Sequence, residues 1–150
     1  MTANYHTHTT RCHHASGSER EYIERALQNG LTALGFSDHV PMPFPDGHQS
    51  GYRVRLEETE NYWETLTALR EEYRDRIRIL IGYEAEYYPA YFDAMREFLS
   101  RYPYDYLLLG QHFVNNETDG VYAGHPTDRE EDLAHYVDHV LEGLRTGCYT

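Results

Sequence analysis

The sequence contains no lysine. All thirteen of its basic residues are arginine. A Schiff base with a carbonyl substrate therefore cannot form on this chain, and the lysine of a phosphate-binding P-loop is missing. These absences exclude two large enzyme classes, those that form covalent lysine adducts and those that hydrolyse nucleotides with a P-loop.

Cysteines are few, and long apolar runs are absent. Cys12 and Cys148 do not make a disulfide framework, which favours a reducing compartment, and we expect the cytoplasm. No segment approaches the roughly 20 apolar residues of a membrane span, and the polar N-terminus lacks the apolar core of a signal peptide. We therefore expect no membrane partner. With 150 residues, 40% of them apolar, the chain can form one domain with a real core, residues 1–150.

Positive charge is also scarce. The net charge is −12, from 25 acidic and 13 basic residues, whereas a nucleic-acid surface is expected to be basic. A nucleic-acid partner is therefore not expected. A small phosphorylated substrate is compatible with an acidic chain, because bound metal ions reverse the sign of the local charge.

Short apolar runs alternate with longer amphipathic ones along the chain. The pattern predicts strands at residues 2–8, 31–39, 77–87 and 104–113, and helices at 18–30, 56–75, 90–101 and 127–147. Ser18 and Glu21 form a predicted capping box at the first of these helices, and Thr127 and Glu130 form one at the last. Four alternations of strand and helix are typical of a parallel α/β sheet.

Each predicted strand ends in residues that bind metals. In a parallel α/β fold, function lies at the carboxyl ends of the strands, and imidazole with carboxylate is the ligand set of zinc, iron or manganese. Four consecutive strands with this feature form a strong pattern. The residues are His6, His8, Asp38, His39, Glu84, Glu86 and His112.

Other interpretations of single residues stay open at this point. A histidine at a strand end is often only a hydrogen-bonded structural residue. Glu84 and Glu86 alternate on one strand face, so one could be a ligand and the other its hydrogen-bonded partner. His135 and His139 are spaced four residues apart on a helix, as zinc ligands can be. We expect them to face solvent, opposite a buried stripe of Leu133, Tyr136, Val137, Val140, Leu141 and Leu144.

The order of four motifs resembles the polymerase and histidinol phosphatase (PHP) superfamily. The motifs are YHTHT, FSDH, GYEAEY and LLLGQHF, and the segments CHHASGS and DHVPMPFP add to the likeness. The branch that the chain resembles most is the histidinol-phosphatase group, and the resemblance spans nearly all 150 residues. The HxH motif alone is weak evidence, whereas the ordered set is strong.

The resemblance implies the N-terminal part of a distorted (β/α)7 barrel, with about four βα units here and up to three divalent metal ions, zinc, manganese or iron, in the complete domain. By position, His6 and His8 would bind the first metal, His112 the second, and His14 with His39 the third. Glu84 would bridge the first two metals, so Glu84 and His112 would serve catalysis directly. A hydroxide bridging two metals would attack phosphorus.

The chain departs from the family pattern at its end. The family's later histidine–proline and Asp-x-His motifs are absent, so we expect a truncated domain that would lack a ligand for each metal. An open sheet exposes edges, which predicts self-association. Arg11 and Arg53 are candidates for substrate binding.

Two classes of function follow from the resemblance. The first is a metal-dependent phosphatase of L-histidinol phosphate in histidine biosynthesis, or of another small phosphate ester or phosphodiester. The second is a non-catalytic partial domain that binds metal.

Overall fold

Four parallel strands form a single sheet in the order in which they follow one another along the chain. The computed structural model describes residues 2–118 and 120–150. The strands are β1 (Ala3–Asn4), β2 (Ala33–His39), β3 (Arg78–Ala85) and β4 (Tyr106–Leu109), and the helices are α1 (Glu19–Gln28), α2 (Thr59–Glu72), α3 (Phe92–Leu99) and α4 (Glu130–Arg145). All neighbouring strands pair in parallel. The predicted βαβ alternation is confirmed.

The central strands are buried along nearly their whole length. Every residue of β2 is buried, and β3 is exposed only at its first residue, Arg78. Two side chains of helix α2 donate hydrogen bonds to β3. The Tyr62 hydroxyl donates to the carbonyl of Gly82 (2.8 Å), and Trp63 Nε1 donates to the Tyr83 hydroxyl (3.0 Å). Burial on both faces explains why the apolar residues of these strands do not alternate with exposed polar ones.

Strand β1 is shorter than the sequence pattern predicts. The backbone N–H of His6 donates to Asn4 Oδ1 (3.0 Å), an Asx turn that ends the strand at Asn4. The carbonyl of Thr7 still accepts a hydrogen bond from the Ser37 amide (2.8 Å), so the segment stays beside β2. His6 and His8 therefore lie in a loop after the strand.

The helix ends follow the sequence in one case and differ in another. Ser18 and Glu21 form the capping box that the sequence predicts for α1. The predicted box at Thr127 and Glu130 is wrong: α4 begins after Arg129, and Thr127 Oγ1 instead accepts a hydrogen bond from the Arg129 amide (3.1 Å). A local hydrogen bond to the preceding turn has replaced the cap.

The predicted burial of the apolar stripe on α4 is also wrong. Helix α4 meets the sheet through Gly143, where an added Cβ would lie 2.9 Å from Tyr87 Cβ and 3.3 Å from Leu109 Cδ1. This approach leaves four stripe residues exposed, which we call the α4 face: Leu133, Val137, Leu141 and Leu144. Periodicity locates an apolar stripe but does not say what covers it. Among the described residues, no helix is long and apolar enough to cross a membrane.

Candidate metal centre

The carboxyl ends of the four strands meet at one edge of the sheet. His39 ends β2 and is in register with Glu84 on β3, and Glu84 is in register with Leu108 on β4. The loops after β1 and β4 bring His6 and His112 to the same edge. The parallel register therefore assembles residues that lie far apart in the sequence.

Glu84 is the centre of this cluster. Its Oε2 lies 2.9 Å from His6 Nε2, 3.3 Å from His8 Nε2 and 3.5 Å from His39 Nδ1. Its Oε1 lies 3.5 Å from His112 Nε2. Ligand atoms that share one ion at about 2.0–2.1 Å are themselves about 3 Å apart. The spacing of Glu84 and its histidines thus matches that of a metal coordination shell.

A glycine makes room for Glu84. A Cβ built on Gly110 would lie 2.0 Å from Glu84 Oε1 and 2.6 Å from the Cδ and Cγ of Glu84. Any other residue would force the carboxylate or the chain after β4 to shift, since real Cβ contacts are essentially never so short. Gly110 immediately follows β4 and thereby shapes the floor of the site.

A second group of imidazoles lies beside the first. The ring centroids of His8, His14 and His39 are 4.8–5.3 Å apart, and one nitrogen of each lies within 4.8 Å of the others. His14 Nδ1 contacts the Cys12 carbonyl at 2.7 Å, which orients the ring. His13, its neighbour, is exposed with a left-handed φ of 59°. The structure thus brings His14 to the cluster and turns His13 away from it.

A third group lies around His112. His112 Nδ1 lies 2.8 Å from Glu86 Oε1, and one ligand atom each of His39, Glu86 and His112 lies within 4.8 Å of the others. Because an ionised carboxylate only accepts hydrogen bonds, Glu86 favours a proton on His112 Nδ1, and Nε2, 3.5 Å from Glu84 Oε1, is the nitrogen turned toward the cluster. Of the two alternating glutamates, Glu84 is at the centre of the cluster and Glu86 supports His112 from behind.

Burial and nearby charge set the protonation of two side chains of the cluster, Glu84 and His39. Burial raises the pKa of Glu84, but contact with His8 and the nearby imidazoles outweighs it and lowers the pKa to about 2. Desolvation lowers the pKa of His39 to about 3, so its ring is neutral. Burial raises the pKa of Asp38, although Thr9 donates two hydrogen bonds of 2.5 Å to its carboxylate. A carboxylate and a neutral imidazole are therefore present together at neutral pH.

The residues fit a bound cation. His8 Nδ1 and His39 Nδ1 are buried and have no hydrogen-bond partner. A buried polar atom without a partner is costly and needs an explanation. Nitrogen lone pairs of neutral imidazoles, set within reach of carboxylate oxygens, have the donor chemistry of a site for zinc, iron or manganese.

The remaining candidates lie outside the cluster. Arg11 is paired with Glu19 and donates to Asn61 Oδ1 (2.7 Å). Arg53 is buried, 2% exposed, and is paired with two carboxylates, one of them Glu86. Neither guanidinium is turned toward Glu84 in a described contact. His135 is exposed and His139 half-buried on α4, and neither belongs to a described ligand group.

Sequence reasoning missed two residues of the surroundings. Glu117 lies in the loop after β4 and contacts Arg53, and Tyr52 packs edge-on against the His39 ring at 4.8 Å between centroids. Both lie in loops with no periodic pattern. The only signal was their position in the loops that follow β2 and β4, where functional residues of such folds concentrate.

The chain matches a known family along almost its whole length. A family model described as PHP domain matches residues 4–149. The chain is 31% identical over 144 residues to a probable histidinol-phosphatase of Deinococcus radiodurans. This match covers 96% of this chain and 52% of that protein. It is 32% identical over 149 residues to a histidinol-phosphatase of Bacillus subtilis, with 95% of this chain and 52% of the relative covered.

A solved structure confirms the fold. It is a histidinol phosphate phosphatase from Lactococcus lactis, complexed with zinc, L-histidinol and phosphate, with a TM-score of 0.74 and 23% identity. The match covers 96% of this chain and 53% of that protein. The chain thus has the fold of part of a (β/α) barrel and spans about half the length of the curated relatives it matches.

Proposed function

Because this chain belongs to the PHP domain family, we propose that its histidine and carboxylate cluster holds divalent metal ions for the hydrolysis of a phosphate monoester. The single observation that carries the proposal is Glu84, whose two carboxylate oxygens lie within 3.5 Å of nitrogens from four histidines. Those residues come from all four strand ends. A structural ion pair would need only one of them.

The proposed ligands fall into three sets. His6, His8 and Glu84 hold one ion, His112 with Glu84 holds a second, and His14 with His39 holds a third. Zinc is our first choice of metal, because a structural neighbour was crystallised with it, and manganese and iron suit the same donors. Divalent ions supply, when bound, a lowered pKa for water and positive charge for the phosphoryl oxygens.

The chain's own residues have defined tasks in this proposal. Glu84 would be a ligand shared by the first two ions, because its two oxygens contact different histidines. Glu86 holds the proton of His112 at Nδ1, so that Nε2 stays a free ligand atom. Asp38 accepts hydrogen bonds from the amide and hydroxyl of Thr9, and its Oδ1 stands 3.9 Å from His8 Nδ1.

We propose L-histidinol phosphate as the substrate. The proposed cellular role is histidine biosynthesis in the cytoplasm. Two relatives at 31% and 32% identity are named histidinol-phosphatases, one of them as probable, and both cysteines of this chain are free. Other small phosphate esters are the competing substrates within the same chemistry. Phosphate release from L-histidinol phosphate, measured against sugar phosphates, nucleotides and a phosphodiester, separates them.

A second candidate function is a metal-binding partial domain without catalysis. The exposed α4 face favours it, because apolar surface left uncovered is typical of an incomplete fold. The test is to load the purified chain with zinc or manganese and to measure both metal content and phosphate release. The phosphatase proposal requires turnover that Glu84→Gln abolishes and His135→Ala leaves intact. Bound metal without turnover supports the partial domain, and no bound metal refutes both.

A further inference from the structure

A buried arginine beside the cluster is shared by two carboxylates from different segments. Arg53 lies in the loop after β2. Its Nη2 lies 2.7 Å from Glu86 Oε2, and its Nε donates to Glu117 Oε2 at 2.6 Å. All three side chains are at most 6% exposed. An unpaired charge in such a place would be costly, so each member depends on the others.

Glu117 belongs to a hairpin that begins at His112. We call it the hairpin, residues 112–118 and 120–123. The Ala123 amide donates to the His112 carbonyl (2.8 Å), and the Val114 amide donates to the Val121 carbonyl (2.8 Å). The backbone of His112 is therefore part of the hairpin, while its ring is held by Glu86 from β3.

Glu117 has more partners than an ordinary surface carboxylate. Besides Arg53, it accepts a hydrogen bond from the Tyr52 hydroxyl (2.9 Å), and its Oε1 lies 3.2 Å from His48 Nε2. These partners all lie in the loop after β2. The contacts of Glu117 therefore join the loop after β2 to the hairpin.

We propose that Glu117 is a positioning residue for the metal ligand His112 and acts on it through Arg53 and Glu86. Glu117 fixes the guanidinium of Arg53, Arg53 fixes the carboxylate of Glu86, and Glu86 fixes the ring of His112 in the form that leaves Nε2 free. The same contact anchors the hairpin that carries the His112 backbone. The inference rests on the proposed metal binding, since it assigns His112 the role of a ligand.

The test compares two isosteric substitutions. Glu117→Gln removes the negative charge that pairs with Arg53. Glu24→Gln is the matched control, because Glu24 also accepts from a tyrosine hydroxyl, that of Tyr73, and pairs with an arginine, Arg76, but on the outer surface. Zinc affinity is measured by competition with a chelator. We expect about tenfold weaker binding for Glu117→Gln, the lower end of the effect of outer partners on a metal site, and no change for Glu24→Gln.

A double variant tests whether the effect passes through His112. In the His112→Ala background, Glu117→Gln is expected to change zinc affinity by less than twofold, since the ligand it positions is gone. A full tenfold loss in that background would overturn the inference. Glu117→Asp keeps the charge and is expected to lose less affinity than Glu117→Gln. An equal loss would rule out charge pairing with Arg53 as the cause.

A readout without metal separates this inference from the proposed function. In the metal-free chain, nitrogen NMR of the His112 ring reports which nitrogen carries the proton. Hydrogen exchange measures how strongly the hairpin protects the amide protons of Val114 and Ala123 from solvent. We expect Glu117→Gln to mix the two ring forms and to speed exchange at both amides. If both stay as in the wild type, Glu117 does not position His112, whether or not the chain binds zinc.

Discussion

At the scale of single residues, Glu84 decides how the cluster is held together. Four imidazoles surround a carboxylate that burial alone would push toward its neutral form. Their contacts lower its pKa to about 2, so the carboxylate is ionised at neutral pH. Its position depends in turn on the absence of a side chain at Gly110. The absence of a side chain at Gly110 therefore lets the Glu84 carboxylate reach the histidines at the ends of the other three strands.

Gly110→Ala is expected to abolish most of the metal binding. The added methyl group would lie 2.0 Å from Glu84 Oε1, so the carboxylate must leave the cluster or the chain after β4 must shift. We expect a loss of at least one metal equivalent by elemental analysis. Gly51→Ala is the control, since an added Cβ there has no neighbour within 4 Å. Unchanged metal content in Gly110→Ala would show that Glu84 is not a ligand.

At the scale of elements, local patterns foretold the strands and helices but not their contacts. Ser18 with Glu21 starts α1 as predicted, because both halves of a capping box lie within four residues. The box at Thr127 fails because Arg129 competes for the same oxygen. Glu117 escaped notice since its partner Arg53 lies in another loop, and no periodicity links the two. The residues at the strand ends predicted the cluster, because parallel pairing places the carboxyl ends of all strands at the same edge of the sheet.

The two histidines of α4 provide a prediction for that element. His135 is exposed, and neither His135 nor His139 belongs to a described ligand group. The double variant His135→Ala with His139→Ala is expected to keep the wild-type metal content. His6→Ala with His8→Ala, the matched pair from the cluster, should lose at least one equivalent. Metal loss from the α4 pair would place a ligand on the helix and contradict the assignment.

At the scale of the whole molecule, the cluster links stability to pH. In the unfolded chain His39 binds a proton near pH 6.5, whereas in the folded metal-free chain burial lowers its pKa to about 3. Between these values the unfolded state holds the extra proton, so His39 makes the fold less stable as the pH falls. His112 acts in the opposite direction, because its contact with Glu86 raises its pKa.

Comparison with a variant isolates the contribution of His39. In the metal-free chain, wild type should lose stability relative to His39→Asn as the pH falls from 6.5 to 4.5, with a slope of at most about 1.4 kcal/mol per pH unit. Urea unfolding at several pH values measures the difference between the two chains. His135→Asn, at an exposed site, controls for the removal of an imidazole. Parallel pH curves for wild type and His39→Asn would show that His39 is not buried in the neutral form.

The distribution of apolar surface on the whole molecule predicts self-association. The residues of the α4 face are 39–60% exposed, and no described element covers them. The edge of β4 is less open than its sequence suggested, because the Thr150 amide donates to the Leu107 carbonyl (2.9 Å). We therefore expect α4 to mediate contact between two copies, since burying apolar area yields roughly 25 cal/mol per Å².

Sedimentation at micromolar concentration should find a dimer or a larger species. Val137→Glu with Leu141→Glu should shift it to monomer, because charges on that face cannot be buried without partners. His135→Glu, outside the face, should leave the size unchanged, and a wild-type chain that sediments as a monomer would contradict the prediction.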